Sequence, residues 1–218
     1  MPTKREEALP LRYHFHDKPS DAAVAPLYTH LTSLRFLAIS APLKAGLRFT
    51  LALRIPLQNS YPAARQVPSI VAADCPNANG VVLRLNTALQ RDLDRLSQVW
   101  TAEVVGVPGT SLVMKIIQPS LCPLPDPSNS KWREAYYDPL DLAHNEAWVY
   151  QMLAHRQGLS IPYFFGLFDI ITPSGEAAWA LVLEFVPGPT VHDIVTFTST
   201  ADVHDFVRPF TTSATLSG

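Results

Sequence analysis

Cysteine is nearly missing from this chain. Cys75 and Cys122 are its two thiols among 218 residues, each followed by a proline. The two could bridge, but so sparse a pair reads more readily as two free thiols in a reducing compartment. Glycine is scarce too, nine residues against 20 prolines. Proline fixes φ where glycine frees it, so this balance, about twice the average proline usage, predicts stiff connections between short elements. No secretory leader is expected, because the charges of Lys4, Arg5, Glu6 and Glu7 have no apolar core behind them; the expectation is an intracellular chain, cytoplasmic or nuclear. No membrane span is expected either. The most apolar window, about Leu34 to Leu57, is interrupted by Arg35, Lys44, Arg48 and Arg54 and by Pro42 and Pro56. Acidic residues are absent between Asp21 and Asp74, where Arg35, Lys44, Arg48, Arg54 and Arg65 stand, and the expectation there is a basic surface on a structured flank. The formal net charge of the whole chain is only -2, which gives no reason to expect a nucleic-acid partner. His14 and His16 have no further donors at metal-ligand spacing, so no metal site is expected.

What the chain does have is apolar material, 47% of its residues, enough for a sizeable core. Its centre is Ser111–Ile117, an apolar run with one lysine in the middle. In a pleated strand Val113, Lys115 and Ile117 share one face while Leu112, Met114 and Ile116 share the other. Both faces are largely apolar, which predicts a strand covered on both sides. An ammonium group in such a strand needs an anionic partner or a path to water.

Other elements follow from pattern. Leu47–Ile55 alternates apolar and mostly polar residues, the period of a half-buried strand, and Pro56 ends it. Residues 58–80 read as a loop, and Val81–Leu85 begins another strand. Val99–Gly106 and the lysine strand form a hairpin about the turn Val107–Thr110. The proline-rich stretch Pro119–Ser130 predicts an exposed connection. A helix then opens at Asp138, with Pro139 at its first position and Asp141 completing a box-like start, and should stop near Gly158. Leu142, Val149, Tyr150 and Leu153 fall on one stripe of it, with Glu146 among them. A carboxylate on an apolar stripe and an ammonium in an apolar strand each cost free energy alone, and a Lys115–Glu146 pair accounts for both. The alternative is that Glu146 lies at the margin and Lys115 reaches water. Ile161–Ile171 runs from loop into strand, Thr172–Glu176 is a turn, and Ala178–Val186 is a buried strand.

The order strand, strand, helix, strand, strand resembles the N-terminal lobe of the protein-kinase family over roughly residues 81–195. The resemblance rests on Leu112-Val113-Met114-Lys115 for the family's V-A-I-K strand, Asn145-Glu146-Ala147 in the following helix and Leu183-Glu184-Phe185-Val186 for its hinge. It implies an α+β fold, a twisted antiparallel sheet with one packed helix. Before that lobe lies the flank (1–80) with its strand at 47–55, and after it a tail (196–218) that, with little periodic apolar sequence, reads as frayed or as the start of a missing C-terminal lobe. The resemblance also implies that Lys115 holds the α- and β-phosphates of ATP and that Glu146 orients it. Val99 and Val113 would cover the adenine, Leu183 would be the gatekeeper, and the backbone of Glu184 and Val186 would bond the adenine edge.

Two departures from the family qualify these expectations. The Gly-rich loop G-x-G-x-x-G-x-V, aligned on Val99, meets Asp92, Asp94 and Ser97 where the family has glycine. Side chains there obstruct backbone N–H groups from phosphate, and two carboxylates repel it. H-R-D-x-x-x-x-N, D-F-G and A-P-E have no match in the 218 residues; Asp205-Phe206-Val207 follows the hinge too closely to replace them. ATP binding is therefore expected to be weak or absent and Mg²⁺ is not expected to be held by this chain. Three readings stand. The chain is a truncated kinase-like lobe, inactive alone, from a family that phosphorylates protein Ser/Thr. Or it is a noncatalytic pseudokinase fragment binding a partner protein or, weakly, a nucleotide. Or it belongs to small-molecule kinases of the aminoglycoside- or choline-kinase type.

Overall fold

Apolar and polar residues alternate from Arg48 to Ile55, with Phe49 and Leu51 buried, Leu53 and Ile55 half-buried, and Arg48, Thr50, Ala52 and Arg54 exposed. This alternation closes a sheet. In the computed structural model, which describes residues 21–56, 80–91, 95–107, 109–129, 131 and 136–188, the segment breaks at Leu51 into two strands. These are β1 (Arg48–Thr50) and β2 (Ala52–Pro56). β1 pairs with β3 (Val82–Gln90), and β2 pairs with β6 (Phe164–Ile171). Between them run β4 (Gln98–Val104), β5 (Leu112–Ile117) and β7 (Ala177–Glu184). The spatial order is β1-β3-β4-β5-β7-β6-β2, with antiparallel pairing throughout. Because β1 and β2 are one bent segment on the two edges of the sheet, the seven strands form a nearly closed barrel, a geometry that leaves little unpaired edge.

Gly166 makes the seam between β2 and β6 possible. It sits at φ 141°, and a Cβ there would stand 2.9 Å from the Ile55 carbonyl oxygen. Glycine alone fits that approach comfortably.

Both faces of β5 are covered, as the apolar run predicts. Leu112, Met114 and Ile116 point into the barrel with Phe49, Leu83, Leu85, Trp100, Phe165, Phe168 and Val182. On the outer face, Ile117 joins Phe164, Leu167, Leu181 and Leu183 in a second core beneath helix α2 (Pro139–Met152). The first described helix, α1 (Asp21–Ser40), lies in the flank and makes two α-helices among the described residues where the sequence predicts one. Its inward side is Val24, Leu31 and Ala38, with Leu27, Tyr28, Leu34 and Arg35 half-buried. Pro26 within the helix and the exposed Phe36, Leu37 and Ile39 on its outward side blur that period in the sequence.

The start of α2 is as predicted. Asp138 caps it, its carboxylate accepting from the Leu140 N–H at 2.8 Å, and Pro139 takes the first position. The end and the buried face differ. α2 stops at Met152, a 3₁₀ turn occupies Ala154–Arg156, and Gly158 follows with φ 75°. The residues it buries fully are Pro139, Ala143 and Ala147, while Val149 and Leu153 are exposed. Small alanines let the helix backbone approach the sheet, and the longer side chains project from the flanks of the contact.

The connection after β5 also departs from its expected exposure. A 3₁₀ turn at Pro119–Leu121 buries Ser120 and Leu121, and Cys122 and Pro125 are buried as well. The chain divides after Phe185 into two compact units, and all named elements belong to the first. Of the second unit Val186–Gly188 are described; the loop expected at 58–80, save Gly80, and the tail expected at 196–218 lie outside the described residues. Among the described residues no helix is long and apolar enough to cross a membrane.

Candidate functional site

Register places the candidate residues before any side chain is considered. Lys115 on β5 lies opposite Val99 on β4 and Leu181 on β7, while Val113 lies opposite Thr101 and Leu183. Cross-strand partners point to the same side of a sheet, so Val99, Val113, Lys115, Leu181 and Leu183 form one patch on the outer face, the face that α2 covers.

α2 supplies the carboxylate. Its axis is set by the Ala143 and Ala147 contact and by Tyr150, which stacks on Phe164 with ring centroids 5.2 Å apart. Gln157, buried just past the helix, ties the arrangement together. Its amide nitrogen donates to the Tyr150 carbonyl at 2.9 Å and its amide oxygen accepts from the Phe164 N–H at 2.9 Å. On this helix Glu146 falls one turn from both Leu142 and Tyr150, at the edge of the contact. Its Oε2 accepts from Lys115 Nζ at 2.6 Å. The two anomalous charges of the sequence therefore meet, and each side chain keeps about a quarter of its surface, 28% for Lys115 and 27% for Glu146. Burial, and after it the Glu146 carboxylate, raises the Tyr150 phenol above its ordinary range.

An ammonium group held this way retains donors beyond the one given to Glu146, and its partial exposure makes them available to an anion. No protein-family model matches this chain, and no curated protein matches it. The chemistry of the site has to be argued from its own geometry.

The remaining predicted residues divide. Val99 and Val113 are half-buried beside Lys115, and Leu183 is buried. The Glu184 N–H donates to the Tyr163 carbonyl at 2.8 Å, while its carboxylate accepts from the Tyr163 N–H at 3.2 Å. Val186 belongs to the second unit. In the β3–β4 connection Ser97 is buried, its carbonyl accepts from the Gln90 amide, and the Cys122 thiol donates to the Leu96 carbonyl at 3.6 Å. Asp92 and Asp94 lie outside the described residues. Among the described residues no three His, Cys, Asp or Glu side chains gather as metal ligands would.

A second polar cluster escapes sequence reasoning. Glu176, 4% exposed, accepts from the Ser120 N–H at 2.8 Å, the Ser120 hydroxyl at 2.6 Å and the Gln118 amide at 2.8 Å. From the other side the Arg35 guanidinium of α1 donates to the carbonyls of Ser120 at 2.6 Å and Cys122 at 2.7 Å. The expectation of a basic surface in the flank is thus corrected at Arg35, which is half-buried. Burial, and then the Glu176 carboxylate, pushes the Cys122 thiol up to about 12, against a lowering pull from Arg35.

Proposed function

We propose that the first unit is the nucleotide-binding lobe of a protein-kinase-like fold, in which Lys115 takes the α- and β-phosphates of ATP and Glu146 orients it. The family's reaction would be phosphoryl transfer from ATP to protein Ser/Thr. One observation carries the reading: the 2.6 Å Lys115–Glu146 pair joins the third strand of the run β3–β7 to the helix that follows it. In that family a lysine on the third strand pairs with a glutamate of the next helix. The adjacency β3-β4-β5-β7-β6, with α2 inserted between β5 and β6, supports the same reading. So do Val99, Val113 and Leu183, which line the sheet beside Lys115.

The fit to a nucleotide is uneven. β5 and α2 offer the cation for phosphate, but the β3–β4 connection offers side chains where the family has glycine, and Ser97 is buried rather than open to a ligand. This favours a second reading, a noncatalytic module of the same fold. Within these 218 residues neither a catalytic-loop base nor the Mg²⁺-binding motif occurs. By themselves they are expected to bind nucleotide weakly and to transfer no phosphoryl group.

Thermal unfolding with and without Mg-ATP tests the proposal. A dissociation constant of about 1 mM gives about 1 kcal/mol at about 5 mM ligand, or about 2–4 °C in Tm. The shift should vanish in Lys115→Met. No shift, or one that survives the substitution, overturns the nucleotide reading, and a submillimolar dissociation constant overturns the expectation of weak binding.

A further inference from the structure

Arg35 is a half-buried cation that links the flank to the connection between Lys115 and Glu146. From α1 it donates two hydrogen bonds, to the Ser120 and Cys122 carbonyls, while Glu176 holds the Ser120 N–H and hydroxyl from the opposite side. The turn immediately after the lysine strand is therefore gripped at both its donors and its acceptors. Cys122, fully buried, belongs to the same apolar cluster as Ala143 and Ala147, the alanines that seat α2 on the sheet. α1 reaches the other end of the connection as well. Val24, 1% exposed, packs with Tyr136, two residues before the Asp138 cap of α2.

We propose that Arg35 is a positioning residue for the Lys115–Glu146 pair, with α1 acting as a brace across both ends of the β5–α2 connection. A guanidinium bonded to two carbonyls loses both bonds if the turn shifts, and charge-assisted bonds in a partly buried setting are the strong ones. Fixing Ser120 and Cys122 fixes the floor on which Ala143 and Ala147 rest, and Glu146 lies on the turn between those two alanines. A displacement of α2 along the sheet would lengthen a 2.6 Å contact directly. The functional meaning of that control rests on the nucleotide reading above, whereas the coupling itself does not.

Trace acetylation with acetic anhydride, read by mass spectrometry, reports on the pair without any ligand. A lysine amine engaged by a carboxylate is withheld from the reagent. Lys44, exposed and far from Lys115 in sequence, serves as the internal reference. The Lys115/Lys44 labelling ratio in Arg35→Met should rise at least about threefold, toward that of Glu146→Gln, in line with coupling energies within one network. Arg35→Lys, which reaches fewer acceptors, should give an intermediate ratio. A wild-type ratio in an Arg35→Met protein that still melts cooperatively overturns the proposal, since a fastener of stability alone leaves the pair intact. If Arg35→Met does not fold, Arg35→Lys decides between a raised ratio and a wild-type one. Addition of Mg-ATP separates the two proposals, because failure to protect Lys115 counts against nucleotide binding and leaves the brace standing.

Discussion

Replacing Glu146 with alanine removes one half of the pair on which the functional reading depends, and the structure sets the size of the effect. With about 4 Å between charge centres the attraction is about 1 kcal/mol in water and about 4 kcal/mol at an effective dielectric of about 20. Each side chain keeps about a quarter of its surface, so the pair lies between those limits. Desolvation and the entropy of holding two long side chains remove part of the gain, leaving a coupling of about 1–2 kcal/mol. Alanine returns a few tenths of a kcal/mol through its helix propensity, and loss of the glutamate stem beside Tyr150 takes back about as much. Glu146→Ala should therefore lower stability by about 1.5 kcal/mol, against within about 0.5 kcal/mol for a surface site. Urea unfolding at constant m, with Lys115→Met and the double variant closing the cycle, measures both the loss and the coupling. A loss under about 0.5 kcal/mol with no coupling would mean that Lys115 is stabilised by water and Glu146 is marginal.

The other predictions concern the second polar cluster and the seam. Glu176→Ala strands the Ser120 N–H and hydroxyl and leaves the Gln118 amide only its 3.4 Å contact with the Ser174 hydroxyl, and should cost about 3 kcal/mol in urea unfolding; a cost near zero would show that water enters freely. For Cys122 the unfolded chain releases the thiol proton near 9.0 and the folded chain near 12. Its contribution is intact below about pH 9 and declines as pH rises through that interval, by about 2 kcal/mol at about pH 10.5. Cys122→Ala should lack that part of the alkaline loss, and parallel stability–pH curves for the two proteins would refute the assignment. Gly166→Ala brings a methyl group to 2.9 Å from the Ile55 carbonyl at a φ of 141°, and should destabilise by about 2 kcal/mol or more. Unchanged stability would mean that the β2–β6 seam contributes little.

The central pair was legible because both members violate their surroundings, a lysine amid strand formers and a glutamate amid the apolar residues of a helix. Local chemistry also marked the start of α2, where Asp138 and Pro139 are sufficient. Its buried face was not legible by weight of hydrophobicity. Val149 and Leu153 outweigh Ala143 and Ala147 on any apolar scale, yet close helix–sheet approach rewards the small residue. Arg35 obeys the rule that identified Glu146, a charge on the inward side of an amphipathic helix, but that side is visible only once α1 is recognised. Proline misled at Pro119–Pro125. It argues against regular structure, and it also lacks an N–H to satisfy, so a proline turn such as the one holding Pro125 can be buried at low cost. Glu176 follows a turn and reads as solvated, while its partners Gln118 and Ser120 come from more than fifty residues upstream, beyond the reach of any local pattern.

The bent segment that closes the barrel imposes an order on biosynthesis. β1 finds β3 a few dozen residues after leaving the ribosome, but Ala52 on β2 has to wait for Asp169 on β6. At about 5–20 residues per second that wait lasts roughly 6–23 s. Throughout it the nascent sheet presents the open flank of an incomplete ladder, the state most exposed to pairing with a neighbouring chain. Among the earliest strands made is thus one of the last to be secured, and a translational pause placed between β2 and β6 would prolong the hazard where one placed after β6 would leave it unchanged.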